Sequence, residues 1–221
     1  MKTNEHHIRK TTNFQNDVVE LGPIGEKRLE EIFMSRSRKY ENTTNIPAFI
    51  TFDIDFILYE DNSITYRDLL KEFYNGNNGK NLPLKTYEVK TDTYGLISRN
   101  IVYENISNSN PGCLARSKAG YVFYVFIEPI TNIIREEYMI DLHALRWWLC
   151  MNFDKLNTTT FQKTNQDGTT TEKKLIATKS MKRGEDNTGI FLIDIDYLVE
   201  YSKEHKDIKY GNIVPYYKKF Y

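Results

Sequence analysis

The segment Tyr121–Ile127, YVFYVFI, is seven residues long and has an apolar or aromatic side chain at every position. A strand with one solvated face alternates apolar and polar residues; this one does not, so both its faces must be covered. It is far too short to cross a bilayer, which takes about 20 residues as a helix. The chain around it has 221 residues, enough for one domain with a substantial core. These constraints predict an α/β fold, with a mixed central β-sheet flanked by helices and the strand over 119–128 in its middle.

Other segments fill in that sheet. Residues 49–59, FITFDIDFILY, alternate: Ile50, Phe52, Ile54, Phe56 and Leu58 fall on one side of a strand, and Asp53 and Asp55 on the other. Strands are also expected over 86–91, 100–106 and 189–196. Amphipathic spacing predicts a helix over 24–34, with Leu29, Ile32 and Phe33 inward and Gly22-Pro23 at its start. A second helix is expected over 138–153, and shorter helical stretches over 66–74 and 197–203. Residues 60–85 read as an insertion between core strands, because NGNNGKN at 75–81 is loop chemistry. The Thr-rich segment 157–174, within a polar loop region over 157–188, reads as a hairpin or loop. Residues 1–16 read as a flexible tail and 17–221 as a single domain.

The chain carries 30 basic and 30 acidic residues, so any nucleic-acid contact would need a local basic face rather than a basic total. Its two cysteines, Cys113 and Cys150, have no metal-binding spacing and read as free thiols in a reducing compartment. His143 and His205 lack partners at ligand spacing, and His6-His7 lie in the polar tail. Met1–Asn16 has no apolar stretch resembling a secretory leader. The expectation is a soluble cytoplasmic protein with no membrane partner. A composition rich in Asn, Lys, Ile and Tyr fits a bacterial or phage-encoded origin.

Chemistry concentrates at Glu88-Val89-Lys90. In a strand, Glu88 and Lys90 project together while Tyr87 and Val89 go to the other face. An acid and a base held side by side on a sheet are costly unless each has a partner. If 49–59 lies beside 86–91, Asp53 or Asp55 comes next to Glu88. Two adjacent carboxylates repel, and a divalent cation relieves that repulsion. Alternation leaves both aspartates open as the partner.

Asp53 followed by Glu88-Val89-Lys90 resembles the signature of the PD-(D/E)XK, or restriction-endonuclease-like, nuclease superfamily. The neighbouring segments resemble it in the same order. IGEKRLEEIF at 24–33 is similar to the opening helix, FDIDF at 52–56 to the strand bearing the metal-binding Asp, and YEVKTD at 87–92 to the catalytic strand. RNIVYE at 99–104 and PGCLARSKAGYVFYV at 111–125 are similar to the segments that follow. The resemblance covers roughly 20–150. The chain departs from it at Gly120, where members often have Asp, and in the 35 residues that separate Asp53 from Glu88.

The resemblance implies a restriction-endonuclease-like core and an Mg²⁺-dependent endonuclease that hydrolyses phosphodiester bonds in DNA, duplex DNA by default, with Mn²⁺ able to substitute. Asp53 and Glu88 would bind the metal, with the Val89 carbonyl as a further ligand, and Lys90 would assist the attacking water. Glu26 is the candidate helix acid, with Glu30, Glu31 and Glu20 as alternatives. Glu104 would support a water, and Asp55 is the secondary metal candidate. Arg116 and Lys118, then Lys182 and Arg183 in the basic run 179–183 with Lys173 and Lys174 nearby, are candidate nucleic-acid contacts. Trp147-Trp148 and the tyrosines at 216, 217 and 221 are candidates for base stacking or a subunit contact, with core packing the competing role. A homodimer would allow both strands to be cut. The competing reading is a catalytically inactive nucleic-acid-binding or interaction protein on the same fold.

Overall fold

The computed structural model describes residues 21–77, 79, 81–107, 110–164, 168–183 and 186–220, without the side chains of 181–183, 186 and 187. In chain order the elements are α1 (Gly22–Ser35), β1 (Tyr40–Asn42), α2 (Pro47–Phe52), β2 (Phe56–Tyr59), α3 (Tyr66–Tyr74), β3 (Leu84–Asp92) and α4 (Gly95–Ser98). Then come β4 (Asn100–Ser107), β5 (Asn110–Pro111), α5 (Cys113–Arg116), β6 (Tyr121–Ile127), β7 (Ile134–Asp141) and α6 (Leu142–Met151). The chain continues through β8 (Thr160–Thr164), β9 (Thr170–Lys174), β10 (Ile176–Arg183), β11 (Asp186–Asp194), α7 (Ile195–Glu204) and β12 (Tyr216–Lys219).

The main sheet has the order β1-β2-β3-β6-β7-β12. All its pairings are antiparallel except β3 with β6, which run parallel. It is thus a mixed sheet flanked by helices. The strand with two apolar faces, β6, is interior to it. Val122, Tyr124 and Phe126 pack on one side with α6, α7 and β11, whereas Phe123, Val125 and Ile127 pack on the other with Leu29 and Phe33 of α1. Each such buried large side chain contributes roughly 1.5–3 kcal/mol. A second sheet, β10-β11-β4-β5, closes the first of these sides, and β8 and β9 form a separate hairpin.

Parallel pairing of β3 with β6 requires a long crossover. It runs through α4, β4, β5 and α5, and so lays Glu104, Cys113 and Arg116 over the sheet face that carries Glu88. The segment between β2 and β3 holds α3, and the two strands pair across it, Phe56 against Tyr87.

Several expectations need correction. Residues 49–59 are not one strand. Pro47 starts a helical turn, where its fixed φ is already suitable. Asp53 closes that turn in the left-handed region (φ 49°), which aspartate tolerates better than most residues. The strand begins only at Phe56 and is buried throughout, so Asp53 and Asp55 do not share a strand face. The helix expected over 138–153 starts at Leu142. Residues up to Asp141 are strand β7, and the Asp141 side chain caps the helix by accepting from the Ala144 N–H at 2.9 Å. The polar region 157–188 is mostly strand: the hairpin β8–β9, then β10. The tail at 216–219 is the edge strand β12. Among the described residues, no helix is long and apolar enough to cross a membrane.

Candidate active site

The Glu88–Lys90 pairing follows from strand geometry. Tyr87 and Val89 face α1, so Glu88 and Lys90 face the crossover. Glu88 is buried at 5% exposure. Its Oε1 accepts from Lys90 Nζ at 2.5 Å and from Cys113 Sγ at 3.4 Å. Burial pushes the Glu88 carboxyl up to about 7; Lys90 pulls it down, and Asp55 and Asp53 push it up further. Burial opposes the charge on Lys90, but Glu88 outweighs it and holds the ammonium above its ordinary range. Burial likewise pushes the Cys113 thiol up to about 12, so this cysteine is a weak donor and not a thiolate.

Of the two aspartates, the fold brings Asp55 against Glu88. The Asp55 N–H donates to the Tyr87 carbonyl at 2.8 Å, and the Val89 N–H donates to Asp55 Oδ2 at 2.7 Å. Its carboxylate is an electrostatic neighbour of Glu88. Burial raises the Asp55 carboxyl above the usual range, against the pull of the Val89 N–H and Lys90. Asp53 is oriented differently. Arg116 Nε and Nη2 donate to its two carboxylate oxygens at 2.7 and 3.1 Å, and Ser117 Oγ donates to its carbonyl at 2.9 Å.

Glu26 is half-buried on α1. Burial raises its carboxyl first, and the neighbouring Asp55 and Glu30 raise it further, which places this helix acid near the same cluster. It gets there because α1 comes very close to β3. A Cβ on Gly25 would lie 2.4 Å from Thr91 Oγ1 and 2.8 Å from Val89 Cγ1. Glu30 instead accepts from Tyr40 OH at 2.9 Å, and Glu31 pairs with Arg28 at 3.6 Å. Glu20 lies outside the described residues. Glu104 accepts from the Cys113 N–H at 3.1 Å, behind Glu88. Gly112 permits this approach, since a Cβ there would fall 2.6 Å from the Glu104 carbonyl oxygen.

Of the basic candidates, Arg116 is at the site and Lys118 is exposed two residues on. Lys173 is drawn away to Asp194 at 2.8 Å, and Lys174 and Lys179 are exposed on β9 and β10. Lys182 and Arg183 lie on β10 with side chains outside the description. Trp148 is core, at 1% exposure, and Trp147 is half-exposed against Tyr210. Sequence reasoning passed over Cys113 and Ser117 as site residues. Both lie in the segment 111–125, but nothing in their spacing says that one meets Glu88 and the other Asp53.

The residues present fit a divalent cation in part. Asp55 and Glu88 are adjacent oxygen donors, each held above its usual range by burial, and a cation would relieve that strain. Among the described residues, no three His, Cys, Asp or Glu side chains form a ready-made metal cluster, and both oxygens of Asp53 are taken by Arg116. A third carboxylate would therefore have to turn in. Comparison of the chain with family models, with curated proteins and with solved structures gave no match.

Proposed function

We propose that the protein is a metal-dependent endonuclease acting on phosphodiester bonds in DNA, with its catalytic centre at Asp55, Glu88 and Lys90 and with Asp53 as the further acid. One observation carries this reading: a buried carboxylate, Glu88, shares a strand face with Lys90 and has a second, partly buried carboxylate, Asp55, against its strand. Such a face is costly for a structural role and useful for holding a cation next to a phosphate. The ordered resemblance to PD-(D/E)XK nucleases supports it, as does Glu104, which accepts from the N–H of the cysteine that touches Glu88.

Mg²⁺ or Mn²⁺, held by Asp55 and Glu88 with the Val89 carbonyl and Asp53 as further oxygen donors, would supply Lewis-acid stabilisation of the phosphate and a more acidic water. Lys90, tied to Glu88 and a third exposed, orients the attacking water and sets a positive charge beside the scissile phosphate. Glu104 steadies Cys113 behind Glu88, and Arg116 and Lys118 meet the phosphate backbone.

The test is incubation with supercoiled plasmid and Mg²⁺ or Mn²⁺, beside Lys90→Ala and an EDTA control. Metal-dependent nicking or linearisation that disappears in both controls is the expected result. Cutting that survives Lys90→Ala would remove the assignment. The ion pairs that satisfy Asp53 and Glu88 internally favour one other reading, a DNA-binding protein without activity. It predicts binding to duplex DNA with no divalent-metal effect on melting temperature.

A further inference from the structure

Asp53 has little backbone freedom. Its left-handed conformation closes α2, its carbonyl accepts from Ser117 Oγ, and the adjacent Phe52 carbonyl accepts from the Lys118 N–H at 2.8 Å. Its side chain, by contrast, is held among the described residues by Arg116 alone. The base of that arginine is equally firm. Arg146 of α6 donates to the Leu114 carbonyl at 2.6 Å and to the Ser117 carbonyl at 2.7 Å, on either side of Arg116. The two main-chain segments are thus fixed relative to each other, and what can change is the pairing of the two side chains.

The exposures differ in a useful way. The Arg116 side chain is 52% exposed and the Asp53 side chain 12%. A ligand from solvent reaches the guanidinium, not the carboxylate. A phosphate presents the same two-oxygen edge as a carboxylate and competes for the same fork. On the other side, Asp53 stands two residues before Asp55, whose side chain accepts from the Val89 N–H, and Arg116 three residues after Cys113, whose thiol donates to Glu88, so the latched carboxylate borders the segments that form the Asp55–Glu88 pair.

We infer that Arg116 is a gate on the candidate centre: it holds Asp53 out of the cation-binding set until a substrate phosphate takes the guanidinium. The inference rests on the metal-dependent phosphodiesterase reading and specifies how that site is regulated. Phosphate binding frees an acid for the cation, and by linkage cation binding frees an arginine for phosphate, so the two ligands promote each other. The cation affinity of the free protein is lowered by the fraction of molecules in which Asp53 is latched.

The experiment measures Mn²⁺ binding to the full chain by electron paramagnetic resonance, with no turnover involved. Five proteins are compared, wild type, Arg116→Met, Asp53→Asn, the double variant and Glu88→Gln, and urea unfolding establishes that each is folded. Arg116→Met is expected to bind Mn²⁺ about fivefold more tightly than wild type. Asp53→Asn should match wild type, and the double variant should lose the gain. A short duplex with non-cleavable phosphorothioate linkages should tighten Mn²⁺ binding to wild type but not to Arg116→Met. Equal Mn²⁺ affinity in wild type and Arg116→Met, with binding still lost in Glu88→Gln, would overturn the gate and leave the metal centre standing. No Mn²⁺ binding by any of the proteins would overturn the metal centre itself, and the gate with it.

Discussion

Lys90 Nζ and Glu88 Oε1 are 2.5 Å apart, and the acid is the more buried partner, with 6% of its side chain exposed against 34% for the lysine. The pair is therefore asymmetric: without the lysine the carboxylate keeps the weak Cys113 thiol donor and little contact with water, whereas without the carboxylate the lysine can still reach it. Breaking a buried pair from the side that leaves the charge inside is the costly direction. Lys90→Met should destabilise the fold by about 2 kcal/mol at pH 8.5, where Glu88 is ionised. At pH 5.5 Glu88 holds a proton, so the loss should shrink below about 1 kcal/mol. Urea unfolding at the two pH values checks this, and an equal loss at both would mean that the lysine stabilises by packing rather than by charge.

Glu88 itself should impose a pH dependence on stability. Its carboxyl is raised from 4.5 to about 7, so the folded chain binds this proton more tightly than the unfolded one. The stabilising contribution is complete below pH 4.5, declines as pH rises through about 7, and is flat above. Measured against Glu88→Gln, which carries no titrating group, wild type should lose stability across that window. The limit is about 3 kcal/mol, from 1.36 kcal/mol per pH unit. A difference curve flat from pH 4.5 to 8 would show that Glu88 is ionised normally.

The same proton competes with a cation. Under the proposed function, each Mg²⁺ displaces it from Glu88, so below about pH 7 the apparent affinity should fall roughly tenfold per pH unit. The rise in melting temperature at a fixed Mg²⁺ concentration should be larger at pH 8 than at pH 6. A rise independent of pH would place the ion away from Glu88.

How far this site could be foreseen depends on the kind of residue. Glu88 and Lys90 were legible because a strand has period two and Tyr87 and Val89 mark the apolar face. The core strand β6 was legible for a related reason, an unbroken apolar run. Asp53 and Asp55 were not, because apparent alternation over 49–59 concealed a helical turn and a left-handed residue, and one such break reverses which side chain points where. Strand β7 was hidden by a different conflict. IREEYMID carries two acids whose charges are met by arginines far away in sequence, Glu137 by Arg28 and Glu136 by Arg99. No local pattern announces such partners.

The docking of α1 on β3 is tight enough to predict a failed stabilisation. Gly25 sits inside a helix, where Gly→Ala would normally gain about 1 kcal/mol. Here the added methyl would meet Thr91 Oγ1 at 2.4 Å and Val89 Cγ1 at 2.8 Å, so the helix must lift from the sheet. Gly25→Ala should lose about 1–3 kcal/mol in urea unfolding despite its better propensity. It should also weaken any metal binding, because Glu26 moves with the helix. A stabilised variant would mean that α1 adjusts freely and that Glu26 is not held in place.

The hairpin β8–β9 depends on one buried acid. Asp194 is 1% exposed, and its Oδ2 accepts from Lys163 at 2.6 Å and from Lys173 at 2.8 Å, one lysine from each strand. Its Oδ1 accepts from the Tyr197 N–H at 3.1 Å and caps α7. Burial would raise the nearby Asp196, but Arg99 and Lys163 hold it below the usual carboxylate range, so its pairing persists into acid and is lost only as pH falls through that lowered value. Asp194→Ala should cost about 3 kcal/mol, because it removes an ion pair to each strand and a helix cap together, leaving Lys163 on Asp196 and Lys173 on the Ser98 carbonyl. Lys163→Met should cost less, since Lys173 still pairs with Asp194. Hydrogen exchange at pH 4 and pH 7 gives the sharper readout. In wild type, residues 160–164 and 170–174 should stay protected at both, while in Asp194→Ala they should exchange ahead of the main sheet. If that variant exchanges everywhere at once, the hairpin is part of the global fold rather than a separately fastened unit.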